Sequence, residues 1–107
     1  MKNIMKVEQL ESKNQFVMED DKKLIFQSYD SIIAIYDKEN DVMTLGKDWD
    51  YSTTTSKYLY KFIDIYFYYS YGQYEQLAHD LCNANNKRSI IRKAIENGII
   101  EYDEEVQ

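Results

Sequence analysis

Leu45-Gly-Lys-Asp-Trp-Asp-Tyr-Ser-Thr-Thr-Thr-Ser-Lys-Tyr-Leu-Tyr-Lys-Phe62 is the stretch in which the chain changes its period. Before Trp49, short apolar runs alternate with polar turns, as strands do. After Tyr51 the apolar residues recur at helical spacing: Leu59, Phe62, Ile63, Tyr66 and Phe67 form an i, i+3, i+4, i+7, i+8 stripe. Ser52 or Thr53 is placed to cap that helix, since a hydroxyl there accepts from its first free amides.

Working back from this switch, the strands are expected at Ile4 to Leu10, Gln15 to Met18, Lys23 to Ser28, Ser31 to Tyr36 and Val42 to Leu45. Their turns are short, which favours an antiparallel meander. Asp37-Lys-Glu-Asn-Asp41 is read as a hairpin loop and Gly46 as the end of the last strand. Working forward, Gly72 separates the first helix from a second carrying Tyr74, Leu77, Ala78, Leu81 and Cys82. Asn83-Ala-Asn-Asn86 leads to a third carrying Ile91, Ala94 and Ile95. Gly98 stands where a left-handed C-terminal residue is expected. Ile99 and Ile100 are expected to fold back on the core, and Asp103 to Gln107 to form a solvated, frayed acidic tail. A sheet with one apolar face needs a covering layer. The expectation is an α+β domain over residues 1–107, with an antiparallel β-meander of about four to five strands followed by three helices on one face.

The 107 residues are 44% hydrophobic and 15% aromatic, which places the chain among globular domains. No apolar run is long enough for a bilayer, and Met1-Lys-Asn-Ile-Met-Lys6 has no signal-peptide core, so a cytoplasmic protein is expected. One cysteine, Cys82, excludes an internal disulfide framework. With 19 acidic against 13 basic residues the net charge is -6. Such a field repels nucleic-acid phosphate at long range and attracts basic surfaces.

Motifs for chemistry are sparse. Glu75, His79 and Cys82 fall near one another on the second helix, but a structural zinc needs four ligands, and Cys82 on the apolar stripe reads as a small hydrophobe. Asp37, Glu39, Asp41, Asp48 and Asp50 do not have the spacing of a calcium loop. Three glycines, far apart, make no phosphate loop, and no serine sits in a nucleophile elbow. No cofactor, metal or catalytic residue is therefore assigned, and a non-enzymatic protein is expected. Lys87, Arg88, Arg92 and Lys93 on the third helix suggest either a phosphate-contacting stripe or a solvated face paired with acids, and the net charge favours the second.

Seven tyrosines fall between Tyr58 and Tyr74. A small core cannot satisfy that many buried hydroxyls. Tyr66 and Tyr74 fit the stripes and are read as core. Tyr60, Tyr68, Tyr69 and Tyr71 fit them poorly and are read as partner contacts, tyrosine being common in binding hot spots. Asp48, Asp50, Asp103, Glu104 and Glu105 are read as phosphate-like charges for the same partner. A homodimer through Tyr68 and Tyr69 explains the exposed rings equally well.

Ser28-Tyr-Asp-Ser-Ile-Ile-Ala-Ile-Tyr-Asp37 and the Trp-Asp-Tyr-Ser-x-Thr-Thr-x-Lys pattern of Trp49 to Lys57 resemble small proteins of unassigned function encoded by phages and other mobile elements of low-GC Gram-positive bacteria. The resemblance covers about a third of the chain, Ser28 to Ile63, and transfers no catalytic residue. It implies that Trp49 and Tyr51 anchor the crossing from sheet to helix. In general character, small, acidic and without catalytic motifs, the chain is similar to anti-CRISPR proteins. The partner this implies is a host nucleic-acid-binding enzyme, most plausibly a CRISPR effector nuclease, bound and inhibited. The alternative is a nucleic-acid-binding accessory protein using Lys57, Lys61, Lys87, Arg88, Arg92 and Lys93, which requires those cations to gather on one face.

Overall fold

The computed structural model describes residues 6–106. Five strands form an antiparallel meander: β1 (Lys6–Gln9), β2 (Gln15–Glu19), β3 (Lys23–Ser28), β4 (Ser31–Asp37) and β5 (Val42–Leu45). Three helices follow, α1 (Thr53–Phe67), α2 (Glu75–Asn83) and α3 (Lys87–Glu96). A two-residue strand, β6 (Glu101–Tyr102), then returns beside β5 in the parallel sense. The α+β meander with a helical layer is the architecture expected from the sequence. The sixth strand is the addition, and two residues are too short to show a period. The first two residues expected in β1 lie outside the described residues.

The sheet's inner face carries Val17, Leu24, Phe26, Ala34, Met43 and Leu45, all buried under the helices. The α1 stripe supplies Leu59, Phe62, Ile63 and Phe67 to the same core. Phe26 and Phe62 stack at 5.5 Å between ring centroids, which fixes α1 across β3. The register of β3 on β4 steps at Phe26/Gln27, leaving Ile33 without a cross-strand partner. Ile33 and Ala34 are therefore both buried in succession, and the Ile33 carbonyl accepts from the Gly46 amide at 2.9 Å instead. Gly46 is glycine for a steric reason, since a Cβ there would stand 3.0 Å from the Ile32 carbonyl oxygen.

Ser52 caps α1, its Oγ accepting from the Thr55 amide at 3.1 Å. Thr55 Oγ1 in turn meets Ser28 Oγ at 3.3 Å, tying the helix start to the end of β3. Trp49 is buried beneath this crossing, whereas Tyr51 is 81% exposed and anchors nothing. Tyr74 is the central residue of the α1–α2 junction. Its ring meets Tyr36 and Phe67 edge-on, and its hydroxyl accepts from the Met43 amide at 2.6 Å and donates to the Ile99 carbonyl at 2.7 Å. Asp41, with a positive φ of 54°, clamps the same region. Its carboxylate accepts from the Tyr36 hydroxyl and the Gln73 amide, both at 2.8 Å.

Two expectations for the C-terminal half change. Cys82 is exposed rather than part of the stripe, because α2 turns its Leu77, Ala78 and Leu81 edge inward and Cys82 falls beyond it. Asp103 to Val106 is held, not frayed: the Asp103 amide donates to the Leu45 carbonyl at 3.0 Å, and the half-buried Val106 packs against Gly46. Ile100 is buried as expected, and Gly98 takes φ 76°.

Candidate functional site

A cleft lined by aromatic and acidic groups lies where β3, β4 and the crossing to α1 meet. The β3–β4 hairpin turns through only Tyr29 and Asp30. Tyr29 takes φ 55°, a left-handed conformation that a tight hairpin normally gives to Asn, Asp or Gly. Its amide is tied to the Asn14 carbonyl at 2.7 Å, and its ring stands 53% exposed. Tyr51 faces the same cleft of about 280 Å³, whose wall includes Asp30, Asp48 and Thr55. The Ser31 hydroxyl donates to Asp48 at 3.3 Å and orients that carboxylate. Two aromatic faces flanking two carboxylates form a seat for a guanidinium or ammonium group, through cation–π attraction and charge-assisted hydrogen bonds.

The residues expected to form one partner surface occupy three places. Asp48 belongs to this cleft, and the exposed Asp103, Glu104 and Glu105 lie on the turn packed against Gly46, at the same end of the sheet. Asp50 faces α3, where it pairs with Arg88 at 3.7 Å and Arg92 at 3.4 Å. Tyr60 lies half-buried in an open groove between α1 and α3, and burial pushes its phenol above the ordinary value. Tyr68, Tyr69 and Tyr71 sit beyond the other end of α1, about 22 Å along the helix. Tyr69 and Tyr71 are 79% and 89% exposed. Tyr68 is instead half-buried and stacked on His79 at 3.9 Å, so it braces α1 against α2 and is not a free contact.

Reasoning from sequence missed Tyr29 and Tyr51 as site residues. The available signal was Tyr29-Asp30 itself: a bulky aromatic in a two-residue gap between strands contradicts turn chemistry. Cys82 and His79 do not pair. Cys82 Sγ donates to Asp64 at 3.1 Å, which raises the thiol above its ordinary value, while His79 Nε2 meets the Tyr68 carbonyl at 3.0 Å. The acidic loop from Asp37 is a plain turn, with Asp37 accepting from the amides of Glu39 and Asn40. Among the described residues no group of three His, Cys, Asp or Glu side chains is placed to hold a metal ion, and no helix is long and apolar enough to cross a membrane.

A five-stranded antiparallel meander under a three-helix layer, with a cleft walled by Tyr29 and Tyr51 at one end, defines an α+β protein. By sequence it belongs to a family of unknown function, DUF8033, whose model matches residues 2–73. The match spans the meander and α1, and so contains the whole Tyr29–Tyr51 cleft. Neither a curated protein nor a solved structure matches the chain.

Proposed function

We propose that this protein is a non-catalytic binding protein that acts inside a bacterial cell. It seats its acidic, tyrosine-walled end on a cationic surface of a nucleic-acid-processing enzyme and blocks it, a CRISPR effector nuclease being the target class of choice. The observation that carries this reading is Tyr29. A tyrosine held at φ 55° in a two-residue turn is unfavourable for folding, and such residues cluster at binding and switch sites. This turn brings Tyr29 into the wall of the cleft that Tyr51, Asp30 and Asp48 also line. An arginine of the partner entering that cleft gains both a ring face and a carboxylate. The net charge of -6 adds long-range steering toward a nucleic-acid channel.

The test is affinity capture from a host lysate, followed by titration of the purified partner. The expected partner is a nucleic-acid enzyme whose affinity falls with salt, because rim charges are screened. Tyr51→Ala and the Asp30→Asn/Asp48→Asn pair should each weaken it about tenfold or more, the range of a truncated hot spot. Capture of nothing with a nucleic-acid channel, or affinity untouched by both variants, refutes the proposal.

A further inference from the structure

A second concavity lies apart from the acidic cleft. It is an open groove of about 910 Å³ between α1 and α3, and its charge is opposite to that of the protein. Lys57 reaches it from α1, and Lys87, Arg88, Arg92 and Lys93 from α3. Five of the 13 basic side chains thus line one groove, against Glu96 and the neighbouring Asp50. Arg88 and Arg92 pair with Asp50, as expected of a solvated helix face, and Lys57 joins the α3 cations in the groove, whereas Lys61 pairs with Glu11 at 3.0 Å. Asp50 does not cancel the groove. One carboxylate is shared between Arg88 and Arg92 and fixes their guanidiniums, while Lys57 and Lys93 form no ion pair among the described residues.

Two further features point to a ligand. Tyr60 presents a half-buried ring to the same groove as these cations. Ser56, only 4% exposed, lines the same wall beside the Tyr60 hydroxyl. The first turn of α3 also opens here, adding the partial positive charge of its free amides. Cations that track a backbone, beside an aromatic face, are the elements of sites that hold single-stranded nucleic acid.

We infer that the α1–α3 groove binds nucleotide phosphate, with Lys57, Arg88, Arg92 and Lys93 on the phosphates and a base stacked on Tyr60. This goes beyond the protein-docking role above and rests on different residues. The ligand chemistry is a phosphate joined to an aromatic base, and its source is either a single strand or a free nucleotide.

Fluorescence anisotropy of a labelled oligothymidine of about 15 nucleotides tests it, at low salt and along a salt series, on the full chain. The native protein should bind, with log affinity falling linearly in log salt. Lys57→Glu/Lys93→Glu leaves the Asp50 pairs intact. It should weaken binding at least about tenfold and lower the salt slope by about 1.4, two phosphate contacts on a single strand. Tyr60→Ala should weaken it roughly 5- to 100-fold through lost stacking. Circular dichroism melts of each variant, matching the native protein, keep these losses separate from unfolding. Displacement of the oligonucleotide by adenosine monophosphate assigns the free nucleotide, and resistance to it assigns the strand. Inorganic polyphosphate binding as well as the oligonucleotide, with Tyr60→Ala unchanged, overturns the inference, as does an unbound oligonucleotide at low salt. Since none of these variants touches Tyr29, Tyr51, Asp30 or Asp48, failure here leaves the docking proposal standing, and the reverse holds.

Discussion

Replacing Tyr74 by phenylalanine removes one oxygen atom from the centre of this fold. The ring stays, with its edge contacts to Phe67 at 5.8 Å and Tyr36 at 6.0 Å, so no cavity larger than a hydroxyl opens. Two backbone groups are stranded: the Met43 amide of β5, which donates to that oxygen at 2.6 Å, and the Ile99 carbonyl after α3, which accepts from it at 2.7 Å. Tyr74 and Met43 have no solvent exposure, so water does not replace the partner of that amide, while the Ile99 carbonyl belongs to a residue 41% exposed. A buried polar group left unsatisfied costs about 1–3 kcal/mol. The amide in full and the carbonyl in part, allowing for some relaxation, give an expected loss of about 2–4 kcal/mol. For a domain of this size that lowers Tm by roughly 10–20 °C. Urea unfolding followed by Trp49 fluorescence reads the loss directly, with an unchanged slope on denaturant showing that the folded and unfolded states have kept their compactness. Tyr71→Phe, at an exposed ring, is the control and should fall within about 0.5 kcal/mol of the native protein. A Tyr74→Phe loss below about 1 kcal/mol, or one matched by the control, would refute the claim that this hydroxyl joins sheet to helix layer.

Tyr29→Asn relieves the left-handed strain and should raise stability by about 1 kcal/mol while weakening partner binding; equal or lower stability in a urea melt contradicts the strain argument. Burial pushes the phenols of Tyr36 and Tyr66 up to about 12, with Asp41 and Glu8 adding to the shift. Both lie above the unfolded value of about 10, so their contribution is complete below pH 10 and is lost as pH rises through 12. Ultraviolet titration should show these two among the late phenols, with Tyr60 and Tyr74 also raised, and one late phenol fewer in Tyr36→Phe. Cys82 is exposed with its thiol raised by the Asp64 hydrogen bond, so a thiol reagent should label the native protein without denaturant, and Asp64→Asn should speed that labelling at fixed pH. No change in rate would remove Asp64 as the cause.

Much of the fold is written locally in the chain. β3 and β5 have the bounds read from alternation, Ser52 caps α1 as its hydroxyl suggests, and Gly98 takes the left-handed turn. These features depend on neighbours within a few residues. What was not legible depends on partners far away in sequence. β6 exists because Leu45 offers it an edge, and Cys82 leaves the core because α2 turns Leu77, Ala78 and Leu81 inward. The candidate sites suffered most from this. Asp50 looks like any surface acid until α3 brings Arg88 and Arg92 to it, and the cations of α3 look like a solvated face until Lys57 completes a groove.

The parallel β6 also sets an order of events. Every other strand pairs with its immediate neighbour in sequence, so the meander can zip hairpin by hairpin with little loop entropy. β6 finds β5 only after three helices have been laid down between them. It is two residues long, joined through Thr44 and Leu45, and the Asp103 amide completes its hold on the Leu45 carbonyl. That strand is the last latch to close and the first to open. In amide exchange, Asp103 should lose protection through local opening well before the amides of β3 and β4, and whatever detaches it exposes the Leu45 edge of the sheet for another chain to occupy.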